Sequence, residues 1–197
     1  MIRVLVSSCL LGRPIRYNGS DAPSDKTILS KWKSEGRLVH FCPEIAAGFP
    51  IPRPPAEIVG GDGRLVLSGH AKVIEDTGAD VTKMFVAGAR KAVDFAEKNK
   101  VRIAILTDGS PSCGSTYVYD GNFTGKQIPG KGVTAELLEQ NGIRVFSEDQ
   151  IEDALVFLKS LEESETENEK YMTIASQRAG SVIHLNLCPF EEFLQAV

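Results

Sequence analysis

The sequence lacks any long hydrophobic run: nothing in its 197 residues approaches the roughly 18 consecutive apolar residues that a membrane-spanning helix needs. It lacks a basic excess as well. With 22 Lys and Arg against 26 Asp and Glu, mixed in sign along most of the chain, it carries no footprint of a dedicated nucleic-acid binder, and a small molecule is the favoured partner. The first residues are an apolar segment with Arg3 inside it, closed by a glycine turn. They have none of the charged, apolar and cleavage regions of a secretory leader, so the expected compartment is the cytoplasm. Histidine is scarce, and His40, His70 and His184 each stand alone without a partner at metal-ligand spacing. No Cys-x-x-Cys pair occurs, which removes a common signature of a closed zinc site. No internal repeat is visible.

What is present suits one α/β domain, since 42% hydrophobic residues in a chain of this length can bury one substantial core. Short apolar, β-branched runs predict strands over residues 2–8, 38–41, 101–106 and 143–146. Helices are expected from Ser24 or Asp25 to about Glu35, over 80–99, over 133–140, and from a Ser147 cap to about Leu161. This alternation predicts a three-layer α/β/α sandwich with a mostly parallel, Rossmann-like sheet over residues 1–161. Gly48 to Pro55 carries four prolines and reads as an extended loop, and residues 64–67 with 71–74 read as a small hairpin. Residues 116–132 read as irregular, and 162–197 as a C-terminal appendage, helical or disordered.

Three of the four cysteines share a position. Cys9, Cys42 and Cys113 each fall just beyond a separate predicted strand, beside glycine, proline and polar residues. One such cysteine is more often a small core residue than a ligand. Three at one sheet edge, where α/β folds collect their ligands, point to a shared metal centre. Widely spaced thiolates with no obvious fourth favour an iron-sulfur cluster with an open position. A zinc- or cluster-binding sensor without turnover is the alternative. Cys188 lies in the appendage and is set aside as a fourth ligand. Glu44 is either a helix-start carboxylate or an acid/base beside the metal. Ser110 and Ser112 are either turn-formers or hydroxyls aimed at a substrate. Asp108-Gly109-Ser110 with Gly114-Ser115 could form a nest of amides for an anion. Arg53, caged by prolines, could grip a carboxylate, a phosphate or a base edge.

Six motifs carry a resemblance: Ser7-Ser8-Cys9-Leu10-Leu11-Gly12 with Arg16-Tyr17-Asn18-Gly19, Phe41-Cys42-Pro43-Glu44, Pro52-Arg53-Pro54-Pro55-Ala56-Glu57, Gly78-Ala79-Asp80-Val81-Thr82, and Ser110-Pro111-Ser112-Cys113-Gly114-Ser115. In order and spacing the chain resembles the bacterial thiouracil desulfidase family over roughly residues 1–160. The resemblance departs at Thr107-Asp108-Gly109, where many members carry a lysine-containing segment. It implies a [4Fe-4S] cluster held by Cys9, Cys42 and Cys113 with one open iron, which binds the sulfur of a thiolated pyrimidine. It further implies non-redox desulfuration of thiouracil to uracil plus sulfide, with Glu44 and Ser110 catalytic. Ser112, Arg53 and Tyr17 are then the expected substrate-binding residues. Action on thiolated bases within RNA is disfavoured by the acidic balance.

Overall fold

The structure is a computed structural model that describes residues 1–22 and 27–183, with side chains as far as residue 172. Its centre is a four-stranded, fully parallel sheet of β1 (Arg3–Ser7), β2 (Leu38–Phe41), β5 (Val101–Leu106) and β8 (Arg144–Ser147), in the order β2-β1-β5-β8. Continuous apolar runs form these strands because both faces are covered. The helices are α1 (Thr27–Ser34), α2 (Pro43–Ala46), α3 (Gly63–Leu67), α4 (Thr82–Lys98), α5 (Val133–Gln140) and α6 (Ile151–Ile183).

Connection direction decides the layers. From β1 the chain steps through α1 to β2, whereas from β2 it crosses back past β1 to β5 and on to β8. Right-handed crossovers in opposite directions put α1 on one face and α4 and α5 on the other. Side chains agree: Leu5, Ala104, Leu106 and Val145 of the sheet share one cluster with Val93 and Ala96 of α4 and Ala135 and Leu138 of α5. Val4, Val6, Ile103 and Ile105 alternate to the opposite face and are wholly buried. Trp32 of α1 and Ile151 and Leu158 of α6 are equally enclosed, and each such side chain contributes about 1.5–3 kcal/mol by leaving water.

Beside this sheet lie two small hairpins, and both differ from the sequence reading. Residues 64–67 are the helix α3 rather than a strand, because the Asp62 carboxylate accepts the Leu65 N–H at 3.1 Å and starts a helical turn. The antiparallel partner of β4 (Lys72–Glu75) is instead β3 (Ala56–Val59), which begins directly after the prolines. The second hairpin, β6 (Tyr117–Tyr119) with β7 (Gln127–Pro129), occupies the stretch read as irregular. β1 stops at Ser7, so Cys9 sits in a short 3-10 turn over Ser8–Leu11, where Gly12 donates its N–H to the Cys9 carbonyl. The helix after Ser147 opens on a capping box with Gln150 and continues to Ile183, well past Leu161.

The chain divides into two compact units, Met1–Leu158 and Lys159–Val197. Ser24 and Asp25, expected as a helix cap, and His184 and Cys188 lie outside the described residues. No helix of the described residues is long and apolar enough to cross a membrane.

Candidate active site

Connections leave β1 and β5 in opposite directions, so the crevice between their C-terminal ends is the switch point where α/β sheets bind ligands. Ser7, the last residue of β1, closes that crevice. Its hydroxyl accepts the Thr107 N–H at 3.2 Å and points at the Cys113 sulfur 3.7 Å away. Thr107 follows β5 directly, and its hydroxyl lies 3.0 Å from the Cys9 sulfur. Cys42 follows β2 at the start of α2, whose Pro43 is suited to the first helical position. The three predicted ligands therefore do gather at one edge.

They line a cavity of about 350 Å³ together with Glu44, Ser110 and Arg53. Among the described residues no group of three or more His, Cys, Asp or Glu side chains is placed to hold a single metal ion. The cysteines instead stand around a space. Burial pushes all three thiols up. Cys113 is raised furthest, since the Glu44 carboxylate and the two other thiols add to its burial. The cavity wall is also aromatic: three of the four tyrosines, Tyr17, Tyr117 and Tyr119, line it with Phe41, Phe49 and Phe85.

Glu44 and Ser110 face each other. The Ser110 hydroxyl stands 3.5 Å from Glu44 Oε1, and its oxygen accepts the backbone N–H groups of Ser112 and Cys113 at 3.1 and 3.2 Å. Ser110 thus also shapes the turn that presents Cys113. Tyr17 lines the cavity and is 41% exposed, at its mouth.

Two expectations, for Ser112 and for the anion nest, are corrected here, and the reading of Arg53 as a carboxylate grip is made specific. Ser112 does not line the cavity: it is 1% exposed and its hydroxyl pairs with that of Thr134 at 2.8 Å. Its carbonyl accepts the Thr134 and Ala135 N–H groups that open α5, which draws the residue away from the crevice. Arg53 does line the cavity, but its guanidinium is turned to protein acceptors. Nε and Nη2 both donate to Glu44 Oε2, at 2.8 and 2.5 Å, and Nη1 reaches the carbonyls of Ile15 and Pro50. Removing one partner from so buried a pair costs about 3–5 kcal/mol. The expected anion nest is filled from within. The Asp108 carboxylate accepts the N–H groups of Gly109, Ser115, Thr116 and Tyr117 and the Thr116 hydroxyl.

Sequence reasoning gave no role to Thr107, Arg16 or Glu57. Arg16 lines the cavity and acts electrostatically on Cys9. Glu57 is 8% exposed in β3 and lines the cavity too, accepting the N–H groups of Gly121 and Phe123 at 2.9 and 3.1 Å. It pins the β6–β7 hairpin over the cavity wall, a role that neither its spacing nor its neighbours disclose.

A parallel α/β sheet whose switch point opens into a cavity walled by three thiols and aromatic rings has its ligand site where α/β enzymes place theirs. The chain belongs to the 2-thiouracil desulfurase family, whose model matches residues 4–150. It is 49% identical over 152 residues to the uncharacterized protein YbbK of Bacillus subtilis (strain 168), covering 77% of this chain and 99% of that one. Among solved structures it is similar to the [4Fe-4S]-dependent thiouracil desulfidase TudS, with 41% identity and a TM-score of 0.73 over 81% of this chain and 99% of that one. This chain is an enzyme of the thiouracil desulfidase type.

Proposed function

We propose that the protein removes sulfur from a small thiolated pyrimidine by hydrolysis, at an iron-sulfur cluster held by Cys9, Cys42 and Cys113. The observation that carries this reading is the sharing of one cavity by those three thiols, the Glu44 carboxylate and the Ser110 hydroxyl. Thiols set around a space suit a [4Fe-4S] cluster, in which each thiolate meets a different iron and the fourth iron stays open. The cluster named for TudS supports the same cofactor. When bound, it supplies a Lewis-acidic iron for the soft thiocarbonyl sulfur.

The overall change is thiouracil plus water giving uracil plus hydrogen sulfide. Water provides the new carbonyl oxygen, its two protons leave with the sulfur, and no electrons are exchanged. Within the cavity, Glu44 Oε1 takes a proton from the attacking water and returns it to the departing sulfur. The Ser110 hydroxyl, 3.5 Å from that oxygen, orients the water or the base. Tyr17, Tyr117 and Tyr119 offer π-faces and edges to a planar ring.

Anaerobic reconstitution with iron and sulfide, followed by assay on 2-thiouracil and 4-thiouracil, tests the proposal. Expected results are acid-labile sulfide in the protein, the broad cluster absorption, and release of uracil. Cys9→Ser, Cys42→Ser and Cys113→Ser should each lose the cluster, whereas Cys188→Ser should keep it. Zinc without iron or labile sulfide in freshly purified protein would instead favour a metal-binding sensor.

A further inference from the structure

We infer that Arg53 is a positioning residue for Glu44: its guanidinium occupies Oε2 of that carboxylate and so reserves Oε1, alone, for Ser110 and the reacting proton. This rests on the desulfuration reading only for the use to which Oε1 is put. The geometry stands by itself.

An arginine has five N–H donors in a rigid fork. Here Nε and Nη2 converge on the single oxygen Oε2, an arrangement that leaves Oε1 with no guanidinium contact. The fork cannot turn to meet a ligand. Nη1 is held by the carbonyls of Ile15 and Pro50, the backbone N–H of Arg53 donates to the Tyr17 carbonyl at 2.8 Å, and the guanidinium carbon lies 5.9 Å from the centre of the Phe49 ring. Its side chain is 5% exposed and that of Glu44 is 14% exposed. Four segments of chain, the 15–17 loop, Phe49–Pro50, α2 and Arg53 itself, are thus tied at one point. Three of them bear cavity-lining side chains besides Arg53: Ile15, Arg16 and Tyr17 in the loop, Phe49 in its segment, and Glu44 in α2.

The other oxygen is as closely specified. Ser110 Oγ already accepts two backbone N–H groups, so its one proton is free to point at Glu44 Oε1. A carboxylate with one oxygen saturated and the other facing a hydroxyl cannot rotate without losing both sets of contacts. Lysine would replace the arginine only in part, because a point charge on a flexible stem keeps the attraction to the carboxylate but lacks the rigid pair of N–H groups that here converge on one oxygen.

Arg53→Met, Arg53→Lys and the double variant Arg53→Met/Glu44→Gln test this in reconstituted enzyme. The expected result on 2-thiouracil is a kcat lower by about 100-fold in Arg53→Met, partly restored in Arg53→Lys, with KM within about twofold, since a misplaced acid/base costs chemistry rather than binding. Adding Arg53→Met to Glu44→Gln should lower kcat no further. Uracil binding, followed by calorimetry, should stay unchanged. A weaker uracil affinity and raised KM at unaltered kcat would overturn the proposal and make Arg53 a substrate contact. One readout needs no turnover: in cluster-free protein, carbodiimide labelling of Glu44, scored by mass spectrometry against Glu57, should rise several-fold in Arg53→Met. Unchanged labelling would refute the positioning role. Loss of turnover in the wild type would instead count against the desulfuration reading, and the labelling result would still stand.

Discussion

Cys113 differs from the other two cavity cysteines in a way that thiol chemistry can read. It is 7% exposed, whereas Cys9 and Cys42 are half-buried, and burial raises its thiol furthest. The thiolate is the reactive form, so a raised thiol stays protonated at neutral pH and yields its thiolate only as pH climbs. In reduced, cluster-free protein, iodoacetamide should therefore label all three slowly at pH 7 and faster toward pH 9, with Cys113 last. Peptide mass spectrometry gives the order, and early labelling of Cys113 would contradict this geometry. At this scale the sequence was legible where chain position alone decides which residues meet. The cysteines and Glu44 could be placed at one sheet edge because each lies in the turn, loop or short helix that follows a parallel strand. Ser112 was misread because adjacency in a loop says nothing of where a side chain turns, whereas Arg53 does grip a carboxylate, one that the sequence did not identify as that of Glu44. Ser112 is claimed by the start of α5, and Arg53 by Glu44.

At the scale of elements, the approach of α4 to α2 fixes where Cys42 and Glu44 stand. Gly88 makes that approach possible. A Cβ there would lie 2.5 Å from the Pro43 carbonyl oxygen and 3.0 Å from its carbon, both backbone atoms. In an exposed helix interior, replacing glycine by alanine gains about 1 kcal/mol. At this contact α2 must move instead, and overpacking of this kind costs about 1–3 kcal/mol. Gly88→Ala is therefore expected to unfold at lower urea than the wild type and to retain less iron after reconstitution. A higher midpoint with full iron would mean that α2 yields without harm. The same scale explains which elements the sequence disclosed. β2, β5 and α5 have the expected bounds, since each is a distinct apolar run with a clear stop. α3 was taken for a strand because four residues of mixed apolar character fit either period, and only the Asp62 cap decides. β3 was hidden by the prolines before it, and β6 and β7 by their three-residue length.

For the whole molecule, the family match ends at residue 150 and the first compact unit at Leu158, while α6 runs on to Ile183. Residues 159–172 contribute little to any core. None is buried, and Tyr171 and Met172 are 70% and 73% exposed. Every cavity-lining residue lies between Ser7 and Gly125. Stability follows apolar burial, and Ile151, Ala154 and Leu158 supply it at the start of α6, where each is 2% exposed or less. A chain ended after Leu161 keeps all three. It should melt within about 4 °C of the full-length protein, the shift that about 1 kcal/mol produces in a domain of this size. Its kcat/KM on thiouracil should fall by no more than about twofold, because no element that holds a thiol, Glu44 or Ser110 is cut. Differential scanning calorimetry and the uracil-release assay measure both quantities on the same preparation. A drop well beyond these limits in melting temperature alone would assign the C-terminal unit a stabilising role, and a drop in turnover alone would assign it a part in the reaction.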